Sequence, residues 1–198
     1  RTVVKLQEMT RAQKLYGAAA LVVGGTLLLP DFANAGRSLL PSQMAKDIVK
    51  AYGISEDLAL AIAEVASDLD VDAYALANVI NFESGFNAQA VNPSSGASGL
   101  IQFMPRTATG LGTSVGAIRG MSALQQMVLV RRYFEPFEAL RRPHSVAMAV
   151  FYPKAINWLG FRPFPFKVIK ANGWKILTPA GYLRMMNERA KLPSVVPR

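Results

Sequence analysis

The sequence predicts a mostly α-helical domain, and three observations carry that expectation. Apolar residues recur at helical spacing, as in Leu58, Ile62, Val65 and Leu69. Ser, Asp and Pro stand where helices would open, and Gly where they would close. No β-rich run, internal repeat or low-complexity segment interrupts the pattern. With 198 residues and 51% hydrophobic content, the chain can bury one core of ordinary size, which argues against disorder.

The elements follow in order. Residues 1–14 carry Arg1, Lys5, Arg11 and Lys14 against Glu8, and the uncharged run Leu15 to Leu29 comes next. Pro30 and then Ala33-Asn34-Ala35 complete the order of an export signal cleaved after Ala35. An apolar run of 15 residues is short of the ~20 that span a bilayer. An uncleaved membrane anchor and a buried first helix are the other two readings of residues 1–35. The domain itself is expected over residues 36–198, with its core at about 40–192.

Pro41 and Ser42 are expected to open a helix that stops at Gly53, and Ser55, followed by Glu56 and Asp57, opens the next. Asp70 or Asp72 caps a third helix, in which Leu76, Val79, Ile80 and Glu83 share a stripe, and Gly85 is its C′ residue. A short helix follows in "LIQFMPRTA". Ser122 and Gln125 form a capping box ahead of "ALQQMVLVRRYFEPFEAL". Then come a short helix through "SVAMAVFY", an irregular "RPFPF" and a last helix from Thr178-Pro179 to about Lys191.

The formal net charge is +9 and the pI about 10, which suits an anionic partner: nucleic acid, an acidic membrane or an anionic wall polymer. The charge is uneven. Residues 36–83 hold 3 basic and 8 acidic side chains, whereas residues 84–198 hold 15 and 3. The absence of cysteine removes disulfides, thiol nucleophiles and thiolate metal sites, and the single histidine, His144, removes His-based zinc sites.

Most chemistry-bearing motifs have a plainer explanation. Asp68, Asp70 and Asp72 start like a calcium loop, but the loop fails at its sixth position, Ala73, and its twelfth, Val79. They read as capping charge. His144 has no G-x-S-x-G serine to serve and reads as structural or exposed. Arg131-Arg132, Arg141-Arg142, Lys167, Lys170 and Lys175 lie near Phe164, Phe166 and Trp174, a mixture that nucleic-acid binders use. Without a recognised binding module they read as solvated faces, so no nucleic-acid partner is required. Trp158 and Trp174 read as packing residues before sugar platforms.

Glu83 stands apart. Val79, Ile80, Phe82 and Phe86 surround it with apolar bulk, and no acidic residue follows until Glu135. Desolvation at such a place raises a carboxyl pKa and keeps a proton available near neutrality. The turn behind it has Gly85, Gly96 and Gly99, which give the backbone room to approach a ligand, and it delivers Gln102, an amide that bonds both ways. From the residues alone, Glu83 is either an acid held for chemistry or a surface charge closing a helix.

The combination Glu83-Ser84-Gly85-Phe86, Ala90, Gly96-Ala97, Gly99-Leu100-Ile101-Gln102, Met104-Pro105 and Thr107-Ala108 resembles the soluble lytic transglycosylase (SLT) domain. That is a lysozyme-like family that cuts peptidoglycan. The stretch from "GLIQFMPRTATGLG" to "AMAVFYPKAI" resembles its phage and prophage members in particular, and the likeness covers about residues 55–160.

The resemblance implies a lysozyme-like α-helical fold with a catalytic glutamate at a helix C-terminus. It makes Glu83 the acid/base and Ser84 the neighbour that orients it. Gln102 and Met104 would line the sugar cleft, and Tyr152 would take the place of the tyrosine that positions the glutamate. It further implies glycan strands of peptidoglycan as partner, no metal or organic cofactor, and a monomer that works in the periplasm or envelope or as part of a virion. Membrane or virion association would run through the N-terminal segment. Three departures accompany the likeness: Tyr152-Pro153-Lys154-Ala155 replaces the usual Tyr-Asn-Ala-Gly, Asn92 replaces a common Ser, and the turn "NPSSGASG" is one residue longer.

Overall fold

The computed structural model describes residues 21–23, 26–28, 32–137, 140, 144–171 and 177–190, with side chains from residue 41 onward. The basic residues 1–14, Glu138, Arg141, Arg142, Trp174, Lys175 and Lys191 lie outside the described residues. Two three-residue strands, β1 (Leu21–Val23) and β2 (Thr26–Leu28), pair antiparallel within the apolar run, with Val22 opposite Leu27. Apart from isolated bridges of Ser98 to Val91 and Phe103, everything else that is regular among the described residues is helical. Among the described residues, no helix is long and apolar enough to cross a membrane.

Helix α1 (Phe32–Tyr52) begins upstream of the expected start and carries Pro41 inside it. Proline forfeits one N–H, but the residues before it include Ala33, Ala35, Arg37, Leu39 and Leu40, good helix formers that carry the helix past that loss. Helix α2 (Glu56–Asp68) opens on Ser55, whose hydroxyl accepts from Leu58 N–H, with Glu56 and Asp57 at the positive end of its dipole. Helix α3 (Ala73–Ser84) is capped by Asp72, which accepts from Ala75 N–H at 2.8 Å. It closes on Gly85 at φ 61°, the left-handed conformation that glycine supplies most cheaply.

Helix α4 (Pro105–Gly110) and helix α5 (Val115–Arg119) are short, and α5 was not legible in the sequence. Helix α6 (Ala123–Phe134) starts with the expected capping box of Ser122 and Gln125 and ends before Pro136. Helix α7 (Ser145–Phe151) leads into a 3-10 turn at Pro153–Ala155. The "RPFPF" tract is irregular as expected, but a further helix, α8 (Phe166–Ala171), follows it. Helix α9 (Pro179–Ala190) is the last.

Helix α3 is the centre of the domain. It packs on α1, α2, α7 and α9, and its Leu76, Ala77, Val79 and Ile80 are buried. Burying a helix on nearly every side brings its last turn out of the middle of the core, and Glu83 lies in that turn. His144 and Ser145 are buried and structural: His144 Nε2 lies 2.9 Å from Trp158 O, and the Ser145 hydroxyl donates to Ile156 O. Both bonds fix the chain after α7.

The segment between α3 and α4 is held by one buried side chain. Gln126, on the inward face of α6, is fully buried. Its Oε1 accepts from Leu100 N–H at 2.9 Å, and its Nε2 donates to Ala88 O at 2.7 Å and Ile118 O at 2.9 Å. Three separate pieces of chain thus meet at one amide, each satisfying a group that would be costly to bury alone. Gly99, at φ 81°, is the glycine that makes room for it. A Cβ there would run into Gln126 Oε1 and lie 2.9 Å from Ile118 Cγ2. The space at Gly99 therefore serves the protein's own amide rather than a ligand.

Replacing Gly99 by Ala strains the backbone and displaces that amide. The expected loss is ~2 kcal/mol or more, measured by chemical denaturation. A midpoint equal to wild type would contradict this account of the turn.

Candidate active site

Glu83 is half-buried in the last turn of α3, and its environment decides its chemistry. Burial pushes its carboxyl pKa up from 4.5 to about 7, outweighing the hydrogen bond from Tyr182 that pulls it down. The Tyr182 hydroxyl donates to Glu83 Oε1 over a long 3.4 Å. Burial first, and then the charge of Glu83, push the Tyr133 phenol up to about 12. The carboxyl thus has the Tyr182 phenol of α9 on its oxygen and acts electrostatically on the Tyr133 phenol of α6, and both phenols stay protonated in the neutral range.

Tyr182 is itself buried and rigidly held. It stacks on Phe151 with centroids 4.2 Å apart and meets Phe82 edge-on at 5.6 Å. The Arg189 guanidinium lies over the other partner, 5.5 Å from the Phe82 centroid. Tyr133 donates to Ala149 O at 2.6 Å, which ties α6 to α7 beside the site.

Ser84 does not spend its hydroxyl on Glu83. It bridges Ile80 O at 3.0 Å and Leu100 O at 2.9 Å, so it binds the end of α3 to the turn that Gln126 pins. Gln102 sits at φ 52° in that turn and is half-buried. Its Nε2 donates to Gly99 O at 3.1 Å, more weakly to Ala90 O at 3.5 Å. Met104 is 47% exposed at the N-cap of α4, where its sulfur side chain is available to a ligand at the surface.

Asn92 gives the longer turn its closure. Its Oδ1 accepts from Ser94 and Ser95 N–H, and Gly96 N–H returns to Asn92 O. Ser98, fully buried, pairs with Phe103 through both backbone groups and receives Arg119 Nε at its hydroxyl, 3.0 Å. Residues 90–103 therefore form a fixed wall beside the end of α3.

Tyr152 occupies a different place from the one expected. Its ring meets Trp158 at 5.8 Å and Phe164 at 5.7 Å, edge-on in both cases. It reaches the Glu83 neighbourhood only through rings, by way of Phe164, Phe151 and Tyr182. The cause is local: Tyr152 sits at the end of α7 with φ −153°, where Pro153 starts the 3-10 turn, whereas Tyr182 approaches from α9. Sequence reasoning missed Tyr182, Tyr133 and Gln126. Gln126 was detectable, because it shares a helical stripe with the apolar Leu129 and Val130.

Glu135, the next acidic residue after Glu83 in the chain, is exposed and paired with Arg131 at 3.3 Å; Arg131 also meets Asp68 at 3.4 Å. A separate surface cavity is lined by Ser42, Lys46, Lys50, Glu56, Asp57 and Leu60 of α1 and α2 and shares no residue with the Glu83 site. Shelter keeps the Glu83 carboxyl protonated toward neutrality.

The raised pKa has a consequence for folding. Below about pH 4.5 Glu83 is protonated in both folded and unfolded chains; between there and about pH 7 the unfolded chain loses its proton first. Stability therefore falls as pH rises through this window and levels off above it. Glu83→Gln, which carries no charge, is expected to be more stable than wild type by ~1–3 kcal/mol at about pH 8 and equal to it at about pH 4. Thermal melts at the two pH values check this, and equal melting at the higher one would contradict it.

No solved structure matches the chain. Residues 61–128, from within α2 to within α6, match the family model described as the transglycosylase SLT domain. The matched segment holds Glu83, Ser84, Gln102, Met104 and the pinning Gln126, whereas Tyr152 and Tyr182 lie beyond it. Over these residues the chain is similar to that transglycosylase domain.

Proposed function

We propose that the protein is a peptidoglycan lytic transglycosylase that cleaves the β-1,4 bond between N-acetylmuramic acid and N-acetylglucosamine, with Glu83 as its single acid/base. The observation that carries this reading is the sheltered carboxyl with a pKa pushed up to about 7 at the end of the central helix, within the SLT match.

Protonated Glu83 gives its proton to the leaving glycosidic oxygen as the bond to C1 breaks. The resulting carboxylate takes the proton of the muramic C6 hydroxyl, whose oxygen attacks C1 and closes the 1,6-anhydro ring. One carboxyl serves both steps and returns to its starting state. Hydrolytic glycosidases generally divide the work between two carboxyl groups flanking the bond. Here the exposed, ion-paired Glu135 is poorly suited to the second role, which favours the intramolecular hydroxyl as nucleophile.

The Tyr182 phenol holds Glu83 Oε1 and limits the rise of its pKa, so that the group can both give and take a proton. Ser84 acts at one remove by fixing the turn against the helix end. Gln102 and Met104 are proposed to contact the sugars, and Tyr152 to stiffen the aromatic packing behind Tyr182. Export to the periplasm or envelope is the proposed location, with a virion as the alternative setting.

Glu83→Gln is expected to lower the release of soluble fragments from purified peptidoglycan by a factor of ~100 or more with the fold intact. Mass spectrometry of the wild-type fragments should give anhydro-muramic ends, and products heavier by one water would identify a hydrolase instead. Tyr182→Phe removes the hydrogen bond that lowers the Glu83 pKa. Its kcat/KM is expected to fall ~10-fold and its alkaline limb, near pH 7 in wild type, to move up. Tyr152→Phe should leave that limb in place. A shift with Tyr152→Phe and none with Tyr182→Phe would return the positioning role to Tyr152.

A further inference from the structure

The second half of the chain carries a surface that the chemistry at Glu83 does not use. After the 3-10 turn, Leu159 is 49% exposed and Phe161 is 75% exposed, two large apolar side chains within three residues. They do not hang from a loose loop. Arg162 N–H returns to Leu159 O at 2.9 Å, Ala180 N–H donates to Gly160 O at 2.9 Å, and Phe164 N–H donates to Leu177 O at 2.8 Å. The backbone of 160–164 is thereby sewn to that of 177–180, and buried Phe164 anchors it in the core. Leu177, on the partner side of this pairing, is itself 52% exposed.

Cations accompany these apolar tips. Lys154, Arg162, Lys167 and Lys170 are exposed, and no acidic residue occurs between Glu138 and Glu188. Arg162 lies over the Trp158 ring at 4.2 Å, with its charge held at the surface. Helix α8 adds Lys167 and Lys170 one turn apart and has no buried residue. Exposed apolar side chains on a backbone fixed in this way, with exposed cations close to them in sequence, are uncommon on a surface that meets only water.

We propose that the loop Leu159–Arg162, together with Leu177 and the lysines of α8, docks on the surface of an anionic phospholipid bilayer. Leu159, Phe161 and Leu177 enter the boundary between headgroups and acyl chains, and the cations pair with lipid phosphates around them. Lipid suits the surface better than nucleic acid does. Single-stranded nucleic acid is held by stacking on flat rings, and beside Phe161 and Phe166 the exposed Leu159 and Leu177 offer aliphatic tips on which no base stacks. The docking face joins the site through packed rings, Phe164 on Phe151 and Phe151 on Tyr182, so a docked molecule presents Glu83 at a fixed height above the lipid.

The chain has no cysteine, so one label can be placed at will. Full-length Leu159→Cys, carrying an environment-sensitive fluorophore, is mixed with phosphatidylglycerol or phosphatidylcholine vesicles, with a label at the exposed Ser67 of α2 as control. The label at 159 is expected to shift to the blue on the anionic vesicles alone and to be reached by a quencher in the acyl chains, while the Ser67→Cys label stays in water. Adding Lys167→Glu and Lys170→Glu should weaken the lipid-induced shift at 159 by ~10-fold in lipid concentration. The proposal is overturned if the protein pellets with anionic vesicles while the label at 159 remains in water, since another segment then does the binding. It is equally overturned if the double reversal changes nothing, or if single-stranded RNA produces the shift and phosphatidylglycerol does not.

Discussion

Everything around the candidate site rests on one buried carboxamide. Gln126 accepts from Leu100 and donates to Ala88 and Ile118, so three stretches of chain share one fixed point in the core. A buried amide is costly unless each of its groups is paired, and so are the backbone groups of a buried turn. Each satisfies the other. The amide finds its partners in the backbone of the turn, and the turn gains a polar anchor beside its buried Leu100, Ile101 and Phe103. Ser84 then carries this rigidity across to the end of the central helix.

That arrangement explains how a glutamate comes to be sheltered without being sealed away. Helix α3 is buried on most of its circumference, which places its last turn at the mouth of the core. The pinned turn holds the next residue, Ser84, the Tyr182 phenol reaches Glu83 Oε1, and Tyr133 feels the charge of Glu83. A fully exposed carboxyl would ionise at its ordinary value, and one walled in by hydrocarbon would never give up its proton. Glu83 lies between these limits because a phenol rather than hydrocarbon faces its oxygen.

The helical architecture was legible because local rules governed it. Asp72 and Gly85 bracket α3, and Ser122 with Gln125 opens α6, from residues that fix their own backbone. Glu83 could be singled out for the same reason, since its apolar neighbours lie within one turn of it. What escaped detection depends on contacts between distant residues. Tyr182 is 99 residues from the carboxyl that it touches, and nothing in "PAGYLRMM" distinguishes it from an ordinary core tyrosine. Tyr152 looked better placed in sequence, but the turn at Pro153 directs its ring toward Trp158 and Phe164. The start of α1 was misjudged because a proline was read as a helix opener when the helix passes through it.

The central claim is that Glu83 keeps its proton into the neutral range. Carbon-13 NMR of the Glu83 side-chain carboxyl, followed through a pH titration of the folded wild-type protein, measures this directly. The account predicts a midpoint at about 7. A midpoint near the ordinary 4.5 would mean that water reaches the carboxyl freely and would contradict it.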